Sequence, residues 1–381
     1  MIYLDNAATS YPKPSVVCDE MINCMKNYCA NPGRGGHQLS IKSSDEVFNA
    51  REVTSRFFHI KNPLNLMFTK NATESLNIAI KGVLCRGDHV ITTCMEHNSV
   101  IRPIKRLEKE LDIELTIVQG DEYGEIKAEN IEKEIKGNTK LIVMTLSSNV
   151  NGIIMPIKEI GDLAKAKNIY FLLDASQGAG CIDIDVNKMN ISMLAFPGHK
   201  GLLGPQGTGG LYVNSGIPIK SIIEGGTGSS SENLYQPDLF PDLLESGTLN
   251  TPGIVGLCKG IEFINQVGVE KIRHKKHKLI QKIFTETKKI DNIKIYSKND
   301  INKNSGIFAF NFIDVDSTEV SYVLDKVYNI CVRAGLHCAP LAHKEFGTLK
   351  TGIVRASIGY FNEEKEIDIF LEALVEISKN T

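Results

Sequence analysis

The sequence predicts an α/β protein: one large, mostly parallel sheet covered by helices, then a smaller α+β block. Three observations predict it. Seven short apolar runs recur between positions 65 and 213, the length of buried strands. Amphipathic stretches of helical period lie between several of them. A Gly-, Ser- and Pro-rich stretch then breaks the alternation, and a block of different rhythm follows it.

The strand runs are Asn65–Phe68, His89–Thr93, Leu115–Val118, Lys140–Leu146, Ile169–Leu173, Met193–Phe196 and Gly210–Val213. Helical period is clearest over Glu74–Leu84, Val100–Glu110 and Ile157–Ala166. Glu224–Thr251 has no period and reads as a long loop, and loops beyond about 12–15 residues in a compact chain tend to be functional. Beyond it, Ile254–Gln266 and the basic Val269–Lys289 read as helices. Gly306–Phe312, Ile330–Arg333 and Gly352–Ser357 read as strands, with helices near Ser317–Tyr328 and Glu363–Lys379. The expected division is a large domain over 15–255 and a small one over 256–381 that also takes in residues 1–14.

Composition narrows the function classes. The chain has 381 residues, 43 Lys+Arg against 45 Asp+Glu, and a formal net charge of −2. That balance argues against a nucleic-acid binder. No apolar run reaches the roughly 20 residues of a membrane span, and the start, MIYLDNAATS, lacks the basic residues of a signal peptide. Nine cysteines, an odd number with no CxxC pair, fit a reducing cytoplasm better than a disulfide framework.

Chemistry concentrates where strand runs end, the edge at which ligands gather in open α/β sheets. Ile169–Leu173 runs into Asp174, and Met193–Phe196 is followed by Pro197-Gly198-His199-Lys200. Taken singly, the acid is a turn cap and the lysine a solvated loop residue. Together they suit pyridoxal phosphate, which takes a Lys as its Schiff-base partner and an acid on its pyridinium nitrogen. Phe68–Ser75 is a strand, a polar turn and a helix start, which offers backbone N–H groups and the Thr73 hydroxyl to a phosphate. His97 follows another strand and suits a ring-stacking role, against the plainer reading of a helix cap. His274 and His277 lie among Lys271, Arg273, Lys275, Lys276 and Lys278, so they read as a solvated basic face and no metal site is expected. The glycines of 204–210 follow the lysine and precede a strand, the wrong order for a nucleotide-binding turn.

With these residues in place, the chain resembles the class V branch of fold type I pyridoxal-phosphate enzymes, and within it the cysteine desulfurases and selenocysteine lyases. The matching motifs run nearly end to end: Leu4–Ala8, Arg34–His37, Asn71–Ser75, Glu96–Asn98, Ser148–Val150, Asp174–Gln177, Gly198–Lys200, Gly247-Thr248, Arg333–Ala339 and Val354–Ser357. The resemblance implies roles. Lys200 would be the Schiff-base lysine, Asp174 the ring-nitrogen partner, and Gln177 and Asn149 hydrogen-bond donors to the ring oxygen. His97 would stack on the ring and move protons. Ala72 through its backbone, Thr73 and His199 would hold the phosphate, and Thr248 would reach the neighbouring cofactor in a homodimer. Arg355 would clamp the substrate carboxylate, with Arg333, His37 and Asn149 around it.

Cys338 would be the nucleophile, set apart from an ordinary packed cysteine by its polar, glycine-containing neighbourhood. Arg333 and His337 are read as nearby cations that favour its thiolate. Cys331, seven residues earlier in a strand run, reads as packing. Two positions depart from the Suf-type members of the family: Pro197 stands in place of a phosphate-binding Ser, and Ala72 in place of a Thr. Only 17 residues separate Cys338 from Arg355, as in the Suf-type group with its short cysteine loop. The implied activity is removal of sulfur from L-cysteine to give alanine and an enzyme persulfide, passed on to an acceptor protein. Selenocysteine cleavage, another C–S lyase or aminotransferase reaction, and a non-enzymatic scaffold are the alternatives, which rates with cysteine, selenocysteine and a thioether amino acid would separate.

Overall fold

A computed structural model describes residues 1–33, 35–229, 231–300 and 302–380. Arg34, part of one matching motif, lies outside them. After β1 (Ile2–Tyr3) come two helices, α1 (Ser15–Asn27) and α2 (Gln38–Phe57). The large sheet follows as β2 (Leu66–Thr69), β3 (His89–Thr93), β4 (Glu114–Val118), β5 (Thr139–Thr145), β6 (Tyr170–Asp174), β7 (Met193–Pro197) and β8 (Gly209–Val213). Helices α3 (Ala72–Val83), α4 (Asn98–Glu110), α5 (Ala128–Lys133) and α6 (Ile157–Ala166) sit between them. α7 (Thr251–Val267) and α8 (Val269–Thr287) lead to the C-terminal part. That part holds β9 (Ile293–Ile295), β10 (Ile307–Phe312), α9 (Ser317–Lys326), β11 (Ile330–Cys331), α10 (Pro340–Glu345), β12 (Val354–Ser357) and α11 (Glu364–Ser378).

The seven strands lie in the order β2-β8-β7-β6-β5-β3-β4. β4, β3, β5, β6 and β7 are parallel. β8 runs against β7 and β2 runs against β8, so β2 points the same way as β7. Six strands therefore deliver their carboxyl ends to one edge. The central strands carry continuous apolar runs because both faces are covered, and alternate residues of those runs enter different cores. Leu141, Val143, Leu172, Met193 and Ala195 pack with Leu76, Ile80 and Val83 of α3 and Ile104 of α4. Ile142, Met144, Phe171, Leu173, Leu194 and Phe196 pack on the opposite face with Ala50 of α2, Ile160 of α6 and Leu257 of α7.

The seven strand runs and the C-terminal elements fall where the sequence places them, with ends shifted by a few residues. One is shortened: the run expected over Ile330–Arg333 forms β11 only to Cys331, and Arg333 instead makes an isolated antiparallel bridge with Arg355. Among the described residues no helix or strand forms between β8 and α7, as expected of the long loop. β1 pairs in parallel with β11, and Ile2 and Leu4 share a core with Phe310 of β10 and Phe370 of α11. The N-terminus is thereby sewn into the C-terminal part. α7 straddles position 255, and its buried face down to Ile264 belongs to the large core.

Candidate active site

The edge collecting the six strand ends also collects the expected site residues, since β3 leads to His97, β5 to Asn149 and β7 to Lys200. Asp174 is the last residue of β6 and is 2% exposed. His97 and Asn149 flank the point between β3 and β5 where the chain order reverses, the topological switch at which such sheets bind ligands. Gly201 follows Lys200 of necessity: a Cβ there would stand 2.1 Å from the Ala179 carbonyl, so the loops after β6 and β7 touch backbone to backbone.

Lys200 is enclosed enough that burial pushes its amine down to about 8, with Asp174 and Asp5 acting in the opposite sense and Arg355 and Arg333 adding to the fall. Burial likewise lowers His97, offset by Asp174 and reinforced by Lys200 and Arg333. His97 also caps α4, its Nδ1 accepting from the Ser99 N–H at 3.0 Å. Both the plain reading and the functional one are therefore available to the same ring.

Arg355 is 1% exposed yet bears a charge. Its Nη2 donates to Asp5 Oδ1 at 2.8 Å and its Nη1 to the Asn149 carbonyl at 2.7 Å, while Nε is buried without a partner. Arg333 lies across from it, joined by backbone bonds in both directions. The like charges of Arg333 and Arg355 repel across this bridge, an arrangement that an anion between them would relieve.

Cys338 is exposed and sits between β11 and α10. It and His337 both hold left-handed φ angles, +57° and +49°, after Gly335 at +100°. Such conformations in non-glycine residues persist only where the surroundings impose them. The imposing contacts are two: the Asn98 N–H donates to the Cys338 carbonyl at 2.7 Å, and Asn149 Nδ2 donates to the His337 carbonyl at 2.6 Å. One chain of bonds thus runs from Asp5 through Arg355 and Asn149 to the cysteine, and from there to the start of the His97 helix. One expectation is corrected here. His337 is 3% exposed and stacked on His343, and burial drives it well below its usual range, so it is neutral and adds no positive charge beside the thiol.

The start of α3 is open to an anion. Asn71 caps the helix by accepting from the Glu74 N–H at 2.9 Å, and Ala72 and Thr73 are its first two residues. Their N–H groups precede the first intrahelical bond and make no other bond among the described residues, so they remain open to an anion. His199 Nδ1 lies 3.0 Å from Thr9 Oγ1, and burial lowers it to about 4. Gln177 commits one N–H to the Ala7 carbonyl at 2.8 Å and keeps the other. Thr248 is exposed and lines a recess shared with Thr69, Lys70 and Glu74 of its own chain. His37 caps α2, is exposed, and makes no contact with Lys200, Arg355 or Cys338 among the described residues. His274 is exposed and His277 half-buried on α8.

A partly buried lysine in the field of a buried aspartate, an anion-ready helix start and two neighbouring arginines fit pyridoxal phosphate carrying an amino acid. The sequence reading assigned no role to Asp5 or Glu96, although both lie in the matching motifs; an acid inside an otherwise apolar segment was the available signal.

Comparison with known proteins agrees with this geometry. Residues 2–370 match the aminotransferase class-V family. A probable cysteine desulfurase of Methanothermobacter thermautotrophicus is 36% identical, with 99% of this chain and 94% of the relative aligned. The cysteine desulfurase IscS of Clostridium botulinum is 33% identical over 99% of this chain and 94% of its own. The apo structure of the cysteine desulfurase from Thermococcus onnurineus NA1 superposes with a TM-score of 0.94 at 33% identity, covering 100% of this chain and 95% of that one. The chain belongs to the class-V aminotransferase family and, within it, to the cysteine desulfurases.

Proposed function

We propose that the chain is a pyridoxal-phosphate-dependent cysteine desulfurase, which converts L-cysteine to L-alanine and takes the sulfur onto Cys338 as a persulfide. The observation that carries this is the bonded chain Asp5–Arg355–Asn149–His337, which ties the loop of the exposed Cys338 to a buried arginine with a free donor. Bound pyridoxal phosphate supplies an electron sink for charge left at the substrate α-carbon. Asp174 holds the ring nitrogen, and Ala72 N–H, Thr73 and His199 hold the phosphate. Gln177 and Asn149 orient the ring through their free N–H groups. Arg355 and Arg333 bind the substrate carboxylate, with His37 at the mouth. Lys200, with a proton affinity near neutrality, gives and takes a proton at its Nζ. The Cys338 thiolate attacks the substrate sulfur, whose bond to carbon breaks, and that carbon ends protonated in alanine.

We read the working protein as a homodimer in which Thr248 serves the partner's cofactor. Leu234, Tyr235 and Leu239, on the same loop as Thr248, are 97%, 84% and 78% exposed in the isolated chain, the kind of surface a second copy covers. The short segment after Cys338 suits delivery of the persulfide to an acceptor protein that comes to it, and the nine cysteines suit a reducing cytoplasm. The test is mass spectrometry after addition of cysteine. One extra sulfur is expected on the peptide containing Cys338 and none in Cys338→Ala, while Lys200→Ala loses the visible absorption band of bound cofactor. Unchanged sulfur release by Cys338→Ala would overturn the nucleophile assignment.

A further inference from the structure

Glu96 is fully buried, directly before His97, and no step above uses it. Its Oε1 accepts from Thr93 Oγ1 at 2.7 Å and from the Thr145 N–H at 3.1 Å. Thr93 ends β3, and Thr145 ends β5, where it stands in register with Asp174 of β6. The side chain therefore joins the two strand ends at the topological switch, one residue before His97 and one strand from Asp174. Its other oxygen, Oε2, is buried with no hydrogen-bond partner. An ionised carboxylate left that way would be costly, whereas a protonated one leaves a single O–H to place.

Resting on the reading above, we propose that Glu96 is a positioning residue that acts as a neutral acid: one oxygen ties β3 to β5 at the strand end that leads into His97, and its lack of charge spares Asp174 a competing negative neighbour, so that Asp174 can hold the cofactor's ring nitrogen. Two buried carboxylates that feel each other's charge do not both ionise cheaply. The electrostatics agree. Burial raises Glu96 to about 8, with the Asp174 charge adding to the rise and the bonds from Thr93 and Thr145 opposing it. The other titratable groups beside it are Cys94, raised by burial to about 12, and His97, lowered by burial, so both are uncharged at neutral pH.

The sign of the pH effect follows. The folded state keeps a proton on Glu96 between the ordinary 4.5 and about 8, while the unfolded state has released it. Stability therefore falls as pH rises through that window, with the full loss present above it. Glutamine has nothing to titrate. Thermal unfolding of the cofactor-free protein across the window should show the melting temperature of wild type falling relative to that of Glu96→Gln. The contribution of Lys200 is common to both and cancels. Parallel curves would sink the claim of a neutral acid. Positioning is read separately, by titrating pyridoxal phosphate into each variant at neutral pH. Glu96→Gln should bind as wild type does, with the same visible band, and Glu96→Leu, which strands Thr93 Oγ1 and the Thr145 N–H, should bind about tenfold more weakly. Wild-type affinity in Glu96→Leu, or equal loss in both variants, overturns the proposal, and if Glu96→Leu does not fold, the glutamine curves and affinity decide. A wild-type chain that binds no pyridoxal phosphate would instead count against the proposed function, leaving the unfolding comparison intact.

Discussion

Arg355 shows at the residue scale how a buried charge is kept ready for use. A guanidinium that is 1% exposed needs a counter-charge, and Asp5 provides it at 2.8 Å from a side chain that is 20% exposed. The pair is polarised by its setting: burial lowers Arg355 while Asp5 holds it up. With Nη1 and Nη2 each giving an N–H to protein and Nε unpartnered, Arg355 keeps donors in reserve for the substrate carboxylate proposed above. Asp5→Asn should then do two things. It should lower unfolding free energy by about 2 kcal/mol, below the range for breaking a fully buried pair because Asp5 is partly solvated. It should also raise KM for cysteine more than it lowers kcat, since the guanidinium loses its orientation before the chemistry is touched. Chemical denaturation and steady-state kinetics read the two effects, and an Asp5→Asn protein with unchanged stability would show that the pair is not the anchor described.

Among the elements, the loop between β8 and α7 is the one whose placement matters most for the site, and a buried ion pair fixes its end. Arg51 of α2 and Glu245 of the loop are joined by two bonds of 2.8 Å, with side chains 5% and 6% exposed. Arg51 also donates to the Leu66 carbonyl and Glu245 accepts from the Phe68 N–H, so the pair rivets the loop to β2 just ahead of Gly247-Thr248. Arg51→Leu leaves a buried carboxylate unpaired and should cost about 3–5 kcal/mol. Arg51→Leu combined with Glu245→Leu should recover part of that loss, which a double-mutant cycle by denaturant unfolding measures. A double variant as unstable as the sum of the singles would refute the clamp. The same helix explains where the sequence stops being readable. In α2, Leu39, Ile41 and Phe48 are exposed while Ser40, Ser43, Arg51 and Ser55 are buried beside Val47, Ala50 and Val53, so polar and apolar residues share the buried face and the helical period is masked. The sheet strands had no such ambiguity, because burial on both faces leaves a continuous apolar run. Asp174 and Lys200 were legible for the same reason, as polar residues closing those runs. The bonds of Asp5 to Arg355, of Asn149 to His337 and of Glu96 to Thr145 reach partners tens or hundreds of residues away, so the motifs mark these residues without recording what they hold.

Across the whole molecule, Thr248 is the residue whose proposed role depends on the proposed homodimer. In the isolated chain it is exposed, in a recess it shares with Thr69, Lys70 and Glu74, near the start of the helix that offers the Ala72 and Thr73 N–H groups. That position is open to two readings of its service, to its own chain's cofactor or to a partner's, and mixed dimers separate them. Thr248→Ala alone should weaken cofactor binding about tenfold, as expected for losing one hydrogen bond to a charged group. In a heterodimer of one Lys200→Ala chain and one Thr248→Ala chain, service across the interface leaves one site with both residues intact and one with neither. The mixture should then recover about half of the wild-type rate per dimer, the yield of one sound site in a two-fold assembly. Service within a chain would leave each site lacking one residue, and mixing would restore nothing. Purifying the heterodimer through two different tags and assaying it at limiting pyridoxal phosphate makes the difference visible. A rate no better than that of the two parent homodimers would place Thr248 at its own chain's site and remove the need for a partner there.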